Sequence, residues 1–114
     1  MFPRIVALLK LAALALALAT LASAQDEAAV LFKVRCSKCH AIDGSGKTAA
    51  GKRLEVPDLR SPNMQRLSDA ELFEIIAHGK HHRNYPHVFS DLGLSDQQVK
   101  SLVKHLRSLP TARN

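Results

Sequence analysis

Apolar positions along the 114-residue chain fall into four blocks, each predicting a different element. The first is Leu11–Leu21, an uncharged and largely apolar run of 11 residues that follows Arg4 and Lys10 and closes with Ala22-Ser23-Ala24. A positive start, a short apolar run and a small-residue end form the pattern of a secretory signal. Cleavage after Ala24 leaves Gln25 first, and the abrupt change to Asp26-Glu27 supports that boundary. The alternative is an uncleaved membrane anchor, but a spanning helix wants about 20 apolar residues and Lys10 interrupts this one. Residues 1–24 are therefore expected to be a signal peptide and residues 25–114 one exported domain, at work in a bacterial periplasm.

The second block, Val30, Leu31 and Val34, has helical spacing and predicts a helix from near Asp26 toward Cys36, its acidic pair suiting a helix N-terminus. Residues 41–66 hold Gly44, Gly46, Gly51, Pro57 and Pro62 without a sustained period, which predicts loop with at most a short helical turn. Two helices then announce themselves with the same chemistry. Ser68-Asp69-Ala70-Glu71 is a capping box bracketed by Leu67 and Leu72, followed by the stripe Leu72, Ile75, Ile76 and a terminating Gly79. Ser95-Asp96-Gln97-Gln98 repeats it between Leu94 and Val99, and Val99, Leu102, Val103, Leu106 and Leu109 run on to Pro110. No β-alternation occurs, so the expected class is all-α with three main helices.

Composition adds a constraint. A 90-residue domain with no Trp, one Tyr and four Phe in the whole chain has little bulky core material, so a non-protein group is expected to complete the core. Basic residues number 16 against 10 acidic ones, and removing Arg4 and Lys10 with the signal leaves 14 against 10. Length, the lack of a repeat and the lack of a Gly-rich phosphate loop exclude multidomain enzymes, solenoids and dinucleotide-binding folds.

The chemistry sits at Cys36-Ser37-Lys38-Cys39-His40, which reads C-x-x-C-H, the attachment pattern of haem c. Two thiols on one helical turn can each reach a vinyl group of the same haem edge, and His40 can then place its imidazole under the iron. Such a ring would also stand in for the missing aromatics. A thiol oxidoreductase would want a βαβ context, a zinc site a second ligand pair, and a disulfide across two residues would stabilise little.

With that motif after the first helix, Gly44-Ser45-Gly46, Val56-Pro57-Asp58-Leu59, the middle helix ending in Gly79-Lys80 and the last closing at Leu109, the domain resembles a small bacterial monohaem class I cytochrome c. The resemblance implies a cytochrome c-like fold of three main helices around one covalently attached haem c. It implies Cys36 and Cys39 as attachment points, His40 as proximal iron ligand, and the Pro57 carbonyl as acceptor for the His40 imidazole.

One departure stands out. The family places a Met, often before Pro, between the last two helices as second iron ligand, whereas this chain has Tyr85-Pro86 there. The distal candidates are Tyr85, His87 and His82, with Met64 a remote fourth and an open position a further alternative. His78 and His105, near exposed helix faces, need no special role.

Lys33, Arg35, Lys38, Lys47, Lys52 and Arg53 cluster around the motif in sequence and suit an acidic redox protein as partner. Nucleic acid is not an expected partner, and membrane association is expected only through a respiratory complex or an uncleaved signal. The expected function is electron transfer by a haem c cycling between Fe(III) and Fe(II), with no catalytic residue. The alternative is a haem-based sensor or peroxidase-like enzyme with an open or weakly ligated distal position. Leu72, Ile76, Leu102 and Leu106 are the expected packing behind the pocket.

Overall fold

No glycine or proline interrupts the chain between Arg4 and Asp43, so nothing local ends a helix at the signal boundary. In the computed structural model, which describes residues 2–81 and 87–111, one helix, α1 (Phe2–Arg35), runs 34 residues through that boundary instead of starting near Asp26. Its N-terminal part stands exposed, and by length and hydropathy it could cross a membrane. His82 and Tyr85 lie outside the described residues.

Inside the domain α1 turns Ala28 and Phe32 to the core, both 2% exposed, whereas Val30 and Val34 are 62% and 72% exposed. Of the expected stripe only Leu31 packs, in part, against the core. One helix face can be buried here, and the phenyl ring removes more apolar area from water than either valine. Ala28, one turn earlier on the same face, gives the last helix room to approach.

Residues 41–66 are more ordered than their composition predicts. After α2 (Ser37–His40), two short helices follow, α3 (Ala49–Arg53) and α4 (Pro62–Gln65). Each is started by a side-chain cap: Thr48 Oγ1 accepts from the Gly51 N–H at 2.8 Å, and Ser61 Oγ from the Met64 N–H at 3.4 Å, with Pro62 at the first helical position.

The two capping boxes form as expected. They open α5 (Asp69–His78), which Gly79 ends at φ 69°, and α6 (Asp96–Ser108). In the first, Ser68 Oγ accepts from the Glu71 N–H at 3.1 Å and Glu71 Oε2 accepts from the Ser68 N–H at 2.7 Å. The second repeats this between Ser95 and Gln98. The Ser68 N–H and hydroxyl, both donating to Oε2, hold the Glu71 carboxyl below its ordinary range.

The chain belongs to the all-α class, with no strand among the described residues. α6 packs on both α1 and α5, and Leu72, Ile76, Leu102 and Leu106 meet in the shared core with Phe32 and Val99. His105 is not on an exposed face: its ring packs 4.9 Å from that of Phe32, and this burial lowers its pKa. The unfolded chain therefore binds that proton more tightly than the fold does, so stability should fall as pH drops through the ordinary histidine value of 6.5. A His105→Phe variant should show a shallower decline in urea midpoint between neutral and acidic pH.

Arg107 fastens α6 to the α4–α5 junction. Its guanidinium donates to Asp69 Oδ1 at 2.9 and 3.0 Å, to the Gln65 carbonyl at 2.9 Å and to the Leu67 carbonyl. The Asp69 contact is exposed and contributes little, but the carbonyls are part-buried and lose their donor if Arg107 is truncated. Arg107→Ala should cost about 1–3 kcal/mol in chemical denaturation. A loss of only a few tenths would show that water replaces the guanidinium.

Candidate functional site

The C-x-x-C-H segment leaves the core end of α1 without a break in hydrogen bonding. The Cys36 N–H donates to the Phe32 carbonyl at 2.9 Å, and the Cys36 carbonyl accepts from Cys39 and His40 at 3.2 and 3.0 Å. That turn gathers both sulfurs and the imidazole on one short helix, α2, and its N-cap residue Cys36, beside the buried end of α1. The thiols are half-buried and not bonded to each other. His40 is 8% exposed.

Burial pushes the Cys36 thiol up to about 11, against a partly offsetting pull from Arg35. A thiol oxidoreductase needs the opposite shift. Among the described residues no three His, Cys, Asp or Glu side chains converge as a bare metal ion would require.

Immediately after His40 the backbone enters an unusual conformation. Ala41 has φ 62° and ψ 160°, a region that glycine ordinarily occupies and that costs on the order of 1–3 kcal/mol elsewhere. The chain thereby turns back behind the motif. The Gly46 N–H donates to the His40 carbonyl at 2.8 Å, and Thr48 Oγ1 donates to the Lys38 and Cys39 carbonyls at 2.9 and 3.0 Å. The same hydroxyl caps α3, so a single oxygen ties the start of α3 to the end of α2.

α3 lies so close to α2 that a Cβ on Gly51 would collide with the backbone carbonyl oxygens of Cys39 and Gly46. Gly46, at φ 72°, likewise approaches the backbone of Val56 and Pro57, which brings the Pro57 carbonyl alongside the motif loop. Thr48 and Gly51 buttress the candidate site, and sequence reading does not single them out for it. A cap threonine with glycine three residues later was the available signal, but what they cap and crowd becomes visible only in three dimensions.

Of the distal candidates in the described residues, His87 comes to the motif. Its ring centroid lies 5.9 Å from that of His40, with 48° between the planes, and it stacks on Phe89 at 5.6 Å and 23°. The segment is fastened to the last turn of α5: His87 Nδ1 contacts the Ile75 carbonyl at 3.3 Å, and the Phe89 and Ser90 N–H groups donate to Ile76 and Ala77 at 3.2 and 3.1 Å. These carbonyls lie in the last turn of α5: Ile75 also accepts from the Gly79 N–H at 3.0 Å, and those of Ile76 and Ala77 take their donors from the following loop. Met64 instead packs against the hydrophobic core, and His78 is exposed with its ring 6.1 Å from that of Phe73.

Lys33, Arg35, Lys38, Lys47, Lys52 and Arg53 are all exposed and lie on or beside α1, α2 and α3, the elements that carry or flank the motif. The family model described as Cytochrome c matches residues 25–110. No curated protein matches the chain.

Proposed function

From the premise that the chain belongs to the cytochrome c family, we propose that it is an exported one-electron carrier whose single haem c is bonded to Cys36 and Cys39 and ligated by His40. Membership of the family brings covalently held haem and electron transfer through it. The finer assignment rests on one observation above all: two unbonded thiols and a buried imidazole share one helical turn at the inner end of α1. These are the donors that a covalently held haem requires, and the residues present fit it. Bound there, haem supplies a one-electron iron couple in a low-dielectric pocket.

The chain's own residues then have separable tasks. Cys36 and Cys39 would hold the haem as thioethers, each S–H adding across one vinyl C=C with no atom lost. His40 would present a neutral nitrogen to the metal, and the Pro57 carbonyl, which the family resemblance assigns as acceptor for the other ring N–H, would orient the ring. Leu72, Ile76, Leu102 and Leu106 exclude water behind the site. The six exposed Lys and Arg side chains around the motif raise the encounter rate with an acidic redox protein.

Residues 1–24 direct export and are removed after Ala24, which puts the carrier in a periplasm. The full chain expressed in a host that matures c-type cytochromes tests the whole reading. The expected product is a red protein starting at Gln25, heavier than its polypeptide by one haem, titrating as a single one-electron couple, with salt-sensitive electron exchange. Colourless protein of bare polypeptide mass would overturn the assignment, and an intact N-terminus would overturn the signal reading alone.

A further inference from the structure

We infer that His87 is the second axial ligand, opposite His40, so that the iron is held between two imidazoles; this rests on the haem reading above. Three observations carry it. The first is separation. A neutral imidazole nitrogen sits about 2 Å from a bound first-row metal and its ring centre about 1.2 Å farther, so two imidazoles on opposite sides of one ion have centres roughly 6.3 Å apart. The rings of His40 and His87 stand 5.9 Å apart, short of that value by about half an ångström.

The second is tautomer. A carbonyl oxygen only accepts, so the contact of His87 Nδ1 with Ile75 at 3.3 Å requires the proton to be on Nδ1 and puts the lone pair on Nε2. Metal-ligating histidines regularly donate their other N–H to a backbone carbonyl in this way, which fixes the ring and raises its basicity. Here the acceptor belongs to α5, a helix packed on α6.

The third is that the ring is held from behind. It stacks on Phe89, which packs against the core. The residue after it, Val88, has φ 37°, a conformation a β-branched side chain adopts only under constraint. His40 and His87 are thus each followed by a residue at positive φ, Ala41 and Val88, a conformation that costs energy outside glycine.

The matured holoprotein should be six-coordinate and low-spin in electron paramagnetic resonance, without the far-red absorption band of a sulfur-ligated iron. His87→Ala should lose the low-spin signal in favour of a high-spin one, bind carbon monoxide rapidly when reduced, and regain the low-spin spectrum on addition of imidazole. His87→Met retains a side chain able to ligate, and it should stay low-spin, gain the sulfur band and shift the reduction potential upward. High-spin wild type, or a low-spin spectrum unchanged in both variants, would overturn the assignment and move ligation to Tyr85, His82, Met64 or an open position. Protein of bare polypeptide mass would instead defeat the underlying haem reading, so the two failures are distinct.

Discussion

Gly51→Ala should be among the most damaging single substitutions in the domain, although its residue lies outside the C-x-x-C-H motif. Helix propensity alone favours the change, since alanine outranks glycine by about 1 kcal/mol inside a helix. Space decides otherwise. The added methyl would meet the carbonyl oxygens of Cys39 and Gly46, both main-chain atoms already engaged with Thr48 and its neighbours. Overpacking costs about 1–3 kcal/mol where side chains can yield, and backbone on both sides puts this case at the upper end, about 3 kcal/mol or more after the propensity gain is spent. For a domain of this size that lowers the melting temperature by roughly 12–24 °C. Because α2 is the element displaced, the yield of haem-loaded protein should fall with stability. Gly93→Ala is the control: its φ is 93° with nothing within 4 Å of the added carbon, so it carries conformational strain of about 1–2 kcal/mol and no collision. A Gly51→Ala protein as stable as wild type would mean that α3 does not press on the motif as described.

What could be read from the sequence divides along a physical line. Capping boxes, stripes and a terminating glycine are local, and the helices at Ser68 and Ser95 form with the bonds that residues three apart predict. The C-x-x-C-H turn is local as well. Which face of α1 is buried is not, because Val30, Phe32 and Val34 all offer apolar area and the choice is made by α6, some 70 residues later. The same holds for His105, whose burial depends on Phe32, a neighbour from another helix. Residues 41–66 looked like loop because their helices are a turn or so long, too short for a period, and are set by single caps at Thr48 and Ser61. At the distal position the chain presents several ligand types within six residues, His82 to His87, and composition cannot rank them. The discriminating fact for His87, its alignment on the last carbonyls of α5, depends on where that helix ends in space.

The largest effect is expected from Cys36→Ser with Cys39→Ser, which should remove covalent haem altogether while leaving His40 in place. Any haem retained would be held by axial ligation and packing and should be extractable by acidic organic solvent, with the polypeptide mass unincremented. Each single variant should keep one thioether at reduced yield. The structural consequence follows from the scarcity of aromatics. A porphyrin that buries roughly 400 Å² of apolar surface at about 25 cal/mol per Å² stabilises its pocket by on the order of 10 kcal/mol, comparable with the whole stability of a typical domain, about 5–15 kcal/mol. The helices that meet behind the site supply mostly Leu, Val and Ile, with Phe32 the one Phe or Tyr ring fully inside among the described residues. Without the tetrapyrrole the contacts of α5 with α6 lose the body they close upon, and the double variant should give up most of its cooperative thermal transition while the locally capped ends of both helices persist in fragmentary form. Circular dichroism on heating, with intact mass on the same sample, would read both outcomes. A double variant that melts as sharply and as high as wild type would show that the side chains of this small domain fold it unaided, and that the thioethers retain the cofactor without building the core.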